Sequence, residues 1–428
     1  MTNCSSYEGR NKRRPHSGNR QIGDAEAGGH GRLQRGGVGG TLCSRIDALT
    51  YDSGSTIARS ELSRSIIIIR ARPPLLPSPA SPRLLVRVYR PAWWLPDGHS
   101  ATLWGRLGRR EPPIEMRVER LATPDGDFLE LVRLAGPSDE SPRILLLHGL
   151  EGGAHSHYAR AMFREATTRG WAADLLLFRT CGSHPNRLPR SYHSGETGDP
   201  RFIIERLVSD FPRAPLGLVG VSLGGNVLCK LLGEEGDGLP RAVKGAVAMS
   251  TPFDLARASR HIGRGFGAVY ERRFLQTLVP KALLKIAAHS GLAPLATVRH
   301  ARTLWEFDDR FTAPLHGFLD AADYYARSSS LSFLAGIRRP TLLLSAFDDP
   351  FLPADVLNEV VTIADRNDAL VIDFPDRGGH VGFTAGLLPW NPWYYGEWRA
   401  SEFLAEQFGL SHRSTTTTPL TLNPGAMR

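Results

Sequence analysis

The 428-residue chain is poor in cysteine, in long apolar runs and in metal-ligand spacings. Its four cysteines, Cys4, Cys43, Cys181 and Cys229, are scattered, with no C-x-x-C pair. That excludes a disulfide-framed small domain and a cysteine-based zinc module, and it fits a reducing compartment. No apolar stretch approaches the roughly 20 residues that cross a bilayer as a helix. The four isoleucines at 66–69 are too few, and they lie beyond the place of a secretory signal. Arg13-Arg14 has no apolar segment after it, so it does not read as a twin-arginine signal. The expected localisation is cytoplasmic. His155 and His157 form an H-x-H pair with no third ligand nearby, so no metal is expected, and no cofactor.

Strong charge of one sign is also missing from most of the chain. The net charge of +9 is concentrated at the start, where residues 1–85 hold 13 Lys/Arg against 6 Asp/Glu. This leader is rich in Gly, Arg and Ser, then in proline, and shows no sustained periodicity; it is expected to be disordered. A basic tail is able to touch nucleic acid or anionic lipid. That keeps a nucleic-acid- or membrane-binding protein as the rival class, but the expectation is a solvated leader and no nucleic-acid partner. The Thr/Pro-rich residues 411–428 are expected to be disordered as well. With 41% hydrophobic and 22% charged residues, the chain has the composition of a soluble enzyme with a sizeable core.

What is present begins near residue 86. Residues 116–121 and 128–134 flank the turn signal Pro124-Asp125-Gly126 and are expected to pair as a hairpin. Apolar runs at 144–147, 172–178, 216–219, 245–250, 341–345 and 370–373 read as strands, with helical stretches near 157–168 and 202–210 between the earlier ones. Strand and helix in alternation predict an α/β fold with a mostly parallel central sheet flanked by helices. The rhythm breaks between 252 and 337, where only helical segments such as 279–288 and 319–326 occur. An insertion there would lie over the carboxyl ends of the strands, and it is expected to be a helical cap shaping a substrate pocket. A last helix is expected near 398–408. The expected organisation is thus a leader at 1–85, one folded domain at 86–410 with its cap at about 252–337, and a tail at 411–428.

The pattern that carries chemistry is Gly220-Val221-Ser222-Leu223-Gly224. An apolar run precedes it, and a helical stretch at 225–232 follows, which Gly233 would close. Strand, G-x-S-x-G turn and helix are the context of a nucleophile elbow. Small residues two before and two after the serine let the chain turn tightly, and the hydroxyl stands near the positive end of the helix. A serine hydroxyl needs a base to take its proton during attack. In the order Ser, Asp, His that accompanies this elbow, the acid comes from the loop Asp348-Asp349-Pro350 and the base is His380, set among glycines. The D-x-x-x-P pattern favours Asp349 over Asp348. Ser222 would attack the acyl carbon, His380 would take and return the proton, and Asp349 would hold the imidazole. Two backbone N–H donors are needed for the oxyanion. Leu223 is expected to supply one, and Leu150 the other from the loop His148-Gly149-Leu150-Glu151-Gly152-Gly153. His148 precedes the serine and is expected to shape that loop.

These motifs, together with Asn186-Arg187-Leu188-Pro189-Arg190-Ser191-Tyr192-His193-Ser194-Gly195, resemble the YheT-type branch of the α/β hydrolases over roughly residues 89–410. That branch also includes eukaryotic abhydrolase-domain phospholipases and yeast medium-chain ethyl-ester synthases. The resemblance implies the α/β-hydrolase fold and puts the family's triad on Ser222, Asp349 and His380. Arg179-Thr180-Cys181-Gly182-Ser183 departs from the R-G-C-S-G that relatives often carry, which bears on the pocket wall. Arg187, Arg190 and His193 are candidates for binding an anionic substrate group; equally, they would pack their own loop through hydrogen bonds to carbonyls. Trp390, Trp393, Tyr394, Tyr395 and Trp398 are expected to pack as an aromatic core, the alternatives being an acyl tunnel or a transient membrane-surface contact. The expected function is a serine hydrolase for carboxylic esters, the resemblance implying short- to medium-chain acyl or lipid esters as the small-molecule partner. Acyl transfer to an alcohol is the alternative, since both reactions share one intermediate.

Overall fold

The computed structural model describes residues 88–410 except 110, 111 and 113; the expectations for 1–85 and 411–428 lie outside the described residues. Eight strands form one sheet: β1 (Arg117–Ala122), β2 (Phe128–Leu134), β3 (Arg143–Leu147), β4 (Ala172–Leu177), β5 (Leu216–Val221), β6 (Val243–Met249), β7 (Thr341–Leu344) and β8 (Leu370–Asp373). They lie in the order β1-β2-β4-β3-β5-β6-β7-β8. The β1–β2 and β2–β4 pairs are antiparallel, and every other pair is parallel. The β1–β2 hairpin turns at Gly126, whose φ of 83° suits glycine.

Every residue of β3, β4, β5 and β7 is buried, as helices on both faces require. On one face, helices Gly198–Asp210, Leu223–Glu235 and Ala354–Ala364 close a core around Leu145, Leu147, Leu218 and Leu343. On the other, helices His157–Arg169 and Tyr395–Gln407 close a second core around Ile144, Leu146, Val219 and Leu342. Each such side chain contributes about 1.5–3 kcal/mol when fully buried, so these two layers hold the sheet rigid beneath whatever stands at its edge.

Residues 252–337 contain no strand among the described residues. Their main helices are Leu255–Ile262, Gly267–Ala288 and Ala321–Ser328. They carry a small core of their own, built from Leu275, Leu278, Ala282, Ile286, Phe307 and Phe311.

Several helices differ from the sequence reading: the one read at 279–288 starts at Gly267, Ala354–Ala364 was not expected, and three more are instructive. The helix expected from 202 starts at Gly198, because Pro200 falls in the first turn, where its missing N–H is not needed. Helix Gly98–Leu107 was not expected at all, although Asp97 and Ser100 form a capping box at its start. Gly233 does not close the elbow helix, which continues to Glu235. A Cβ at Gly233 would stand 2.2 Å from the carbonyl oxygen of Phe333, so glycine is there for close packing against the cap's last turn. Helix propensity alone favours alanine over glycine by about 0.8–1 kcal/mol. Gly233→Ala is nevertheless expected to destabilise the protein, by about 1–3 kcal/mol as for other overpacked sites; urea unfolding of the two proteins measures the sign.

Candidate active site

β5 ends at Val221 and the next helix begins at Leu223, so Ser222 alone reverses the chain. It has φ 54° and ψ −121°, a conformation that costs a non-glycine residue about 1–3 kcal/mol. Backbone hydrogen bonds on both sides hold it there. Ser222 N–H donates to Met249 O at 2.8 Å, and the N–H groups of Gly225 and Asn226 donate to Ser222 O at 2.8 and 3.1 Å. A Cβ on Gly220 would meet Gly224 O at 2.4 Å, and one on Gly224 would meet Leu147 O at 2.3 Å. Both positions are closed to any side chain.

The imidazole of His380 reaches the hydroxyl. Nε2 lies 3.0 Å from Ser222 Oγ, and Nδ1 lies 2.8 and 3.1 Å from the carboxylate oxygens of Asp349. Asp349 is 3% exposed, and its Oδ1 also accepts from Phe351 N–H at 2.8 Å. Asp348 points elsewhere: its Oδ1 accepts from Gly378 and Gly379 N–H, both at 2.8 Å. Burial raises the pKa of Asp348, and the neighbouring Asp349 charge adds to the rise. Asp348 thus pins the glycine loop on which His380 stands. Further supports were not picked out from sequence, because no local pattern marks them. Thr102 Oγ1 accepts from His380 N–H at 2.8 Å, Ser250 Oγ accepts from Val381 N–H at 3.0 Å, and Phe351 stacks on the imidazole at 4.1 Å.

The loop after β3 passes against Ser222; a Cβ on Gly149 would stand 3.1 Å from Ser222 Cβ. His148 Nε2 accepts from Phe178 N–H at 3.1 Å, which leaves Nδ1–H to donate to Gly149 O at 2.7 Å. Burial lowers its pKa to about 4, so it stays neutral in that role. Four of the loop's five successive N–H groups have partners. Gly149 donates to Tyr158 Oη, Glu151 to Tyr192 Oη, Gly152 to Gly149 O and Gly153 to Ser156 Oγ. Among the described residues, Leu150 N–H has no acceptor. Leu223 N–H opens its helix and so has no carbonyl one turn earlier.

Ser222, Leu223, Leu150 and His380 all line one cavity of about 160 Å³. Much of its wall comes from the 252–337 segment, with Leu255, Ile262, Phe274, Leu278, Phe307 and Phe311 as apolar lining. His193 lines the cavity, whereas Arg187 and Arg190 do not. Arg187 donates to Gly126 O at 3.1 Å, and Arg190 pairs with Asp125 at 3.1 Å and Glu196 at 2.5 Å. The two arginines therefore tie their loop to the β1–β2 turn, the kind of contact the packing alternative expects. Burial lowers the pKa of His193 to about 3, and its Nδ1 accepts from Gly195 N–H, so it too is neutral. Of the late aromatics, Tyr395, Trp393 and Trp398 pack on the second core, Trp390 is 78% exposed, and none of the five lines the cavity. Among the described residues no cluster of three His, Cys, Asp or Glu side chains could hold a metal, and no helix is long and apolar enough to cross a membrane.

Residues 142–384 match the family model for the alpha/beta hydrolase fold. The chain belongs to the α/β-hydrolase family. It is similar to the candidate esterase YheT of Escherichia coli (strain K12), with 40% identity covering 68% of this chain and 85% of that protein. Monoacylglycerol lipase of Saccharomyces cerevisiae is 30% identical over 57% of this chain and 55% of its own length. Phospholipase ABHD3 of Mus musculus is 27% identical over 72% and 75% respectively. The stretch of this α/β hydrolase that matches the family model runs from just before β3 to just past the His380 loop.

Burial keeps four histidines of this hydrolase neutral: His148 and His157 have pKa values lowered to about 4, and His193 and His316 to about 3. An unfolded histidine titrates near 6.5. Between that pH and about 4 the unfolded chain binds protons that the folded chain does not, so stability falls as the pH falls through this window. Asp308 acts the other way, since burial raises its pKa from 3.8 to about 6 and the folded chain gains a proton first. Burial raises Asp199, Glu271 and Asp348 in the same sense, and the four histidines, with the larger shifts, outweigh these carboxyls together. The Tm is expected to be lower at pH 4.5 than at pH 7, which calorimetry at the two pH values checks.

Proposed function

We propose that the chain hydrolyses carboxylic esters through an acyl-enzyme formed on Ser222. The observation that carries this reading is the unbroken hydrogen-bonded line from Ser222 Oγ through His380 to the buried Asp349, at a cavity with apolar walls. Ser222 Oγ attacks the ester carbonyl while His380 Nε2 takes its proton; the same nitrogen then protonates the leaving alcohol. Water repeats the sequence in reverse and frees the acid. Asp349 keeps the imidazole in the tautomer with its proton on Nδ1 and stabilises the imidazolium that forms. The tetrahedral oxyanion is bound by the N–H groups of Leu150 and Leu223. The free state of the Leu150 N–H, amid four engaged neighbours, supports that assignment. One such donor is worth about 10²–10³ in kcat.

The apolar part of the cavity suits an acyl chain, with about 0.8 kcal/mol gained per buried methylene until the space is filled. Short- to medium-chain acyl or lipid esters are the substrate class this supports, in keeping with relatives named as a monoacylglycerol lipase and a phospholipase. Ser222→Ala is expected to abolish fluorophosphonate labelling and to lower p-nitrophenyl ester turnover about 10⁶-fold; retention of either would sink the reading. Asp349→Asn should cost about 10⁴-fold in kcat, and Asp348→Asn far less, since Asp348 meets loop N–H groups and not the imidazole. Steady-state kinetics of the two variants decides between the neighbours.

A further inference from the structure

The oxyanion loop carries a strained residue that the reaction itself does not use. Glu151, directly after Leu150, has φ 55°, a left-handed conformation that persists only where surrounding groups over-determine it. Here three contacts do so. Tyr192 Oη accepts from Glu151 N–H at 3.1 Å and donates back to Glu151 Oε1 at 3.1 Å. Lys281 Nζ lies 2.9 Å from Glu151 Oε2. The Tyr192 ring is itself fixed, stacked parallel on Phe178 at 5.7 Å, and burial raises its pKa, so the hydroxyl remains a donor.

Lys281 belongs to the long cap helix Gly267–Ala288. Four residues on, and hence on the same face of that helix, Lys285 donates to the carbonyls of Leu188 and Arg190 at 2.8 and 3.2 Å. One helix face therefore grips both the oxyanion loop and the 186–195 loop that delivers Tyr192. The Leu150 side chain packs against the cap's own core as well as against the sheet core. The direction of the Leu150 N–H is thus set from both flanks: by His148 through Gly149 O, and by Glu151 through Tyr192 and the cap.

We propose that Tyr192, Glu151 and Lys281 form a positioning unit that aims the Leu150 N–H at the oxyanion and makes its aim depend on the cap helix. None of the three is a catalytic residue; they act through the peptide between Leu150 and Glu151. The inference rests on the acyl-enzyme reading of Ser222. It gives the loop Asn186 to Gly195 a task that anion binding does not: Arg187 and Arg190 anchor one side of it to the β1–β2 turn, Lys285 anchors it to the cap, and Tyr192 is the group so delivered.

The test uses the full chain with a p-nitrophenyl ester and a trifluoromethyl ketone, which adds the serine to form a tetrahedral oxyanion. Tyr192→Phe keeps the ring and removes the hydroxyl. Because the N–H is misaimed but not deleted, kcat is expected to fall about 10- to 100-fold, less than the 10²–10³ for a lost donor. KM should stay within about twofold, and the ketone Ki should rise by the factor that kcat falls, as expected for an interaction made only in the transition state. Lys281→Met, at a side chain 41% exposed, should give a smaller fall of the same kind. Glu151→Gln should retain more kcat than Glu151→Ala, because it keeps an acceptor for Tyr192. Unchanged kcat and ketone Ki in Tyr192→Phe, or a rise in KM alone, overturns the proposal. A lowered Tm with kcat and Ki intact overturns it too, by making the contacts merely structural. Should Tyr192→Phe not fold, Lys281→Met decides by the same readouts. Ser222→Ala measured alongside separates the two levels: if it is inactive while the positioning variants match wild type, only the positioning role falls; if it keeps turnover, the acyl-enzyme reading falls and takes this one with it.

Discussion

β5 and the helix after it run back past each other at backbone contact distance, and the rest of the site follows from that approach. With Gly220 and Gly224 touching where any Cβ would clash, a single residue has to make the turn, and Ser222 does so at positive φ. Such strain survives only on a rigid base. The base is the buried parallel strands β3, β5, β6 and β7, whose two covered faces leave the strand no freedom to relax. The hydroxyl is thereby held out from the sheet edge, at the amino end of a helix whose opening N–H, that of Leu223, has no carbonyl one turn earlier.

Around that fixed point, loops do the arranging, and they do it with neutral or internally compensated groups. His148 is buried and uncharged, and braces the loop after β3 through Gly149 O. Asp348 gives both its loop contacts to backbone N–H groups, while Asp349 next to it faces the imidazole. Two adjacent carboxylates thus take separate tasks because the chain turns between them. The cap enters the same scheme from above. Its helix supplies apolar wall to the cavity and, through Lys281 and Lys285, ionic and hydrogen-bonded ties to the loops beneath.

Much of this was legible in the sequence. Alternating apolar and helical segments indicated the mostly parallel sheet, and the strand-less interval at 252–337 indicated where a cap would stand. The elbow, the acidic loop and the glycine-flanked His380 were visible because their chemistry requires particular residue types in a particular order. Element ends were less legible: Pro200 inside a first turn and Gly233 inside a helix both look like punctuation until their neighbours are known. Arg187, Arg190 and His193 could not be sorted, since an arginine's wish for an anion reads the same whether a substrate or Asp125 satisfies it.

What the sequence by itself determined is the set of groups that local backbone geometry dictates: the two glycines, the serine between them, and the strand and helix that flank it. These depend on contacts within a few residues. What only the tertiary structure decided is which distant groups meet them. Thr102 beneath the His380 loop, Phe351 on its ring, and the Tyr192–Glu151–Lys281 contact all join segments far apart in the chain. A hydroxyl, a ring or an ammonium carries no mark of its partner until folding removes the water that would otherwise serve it equally well.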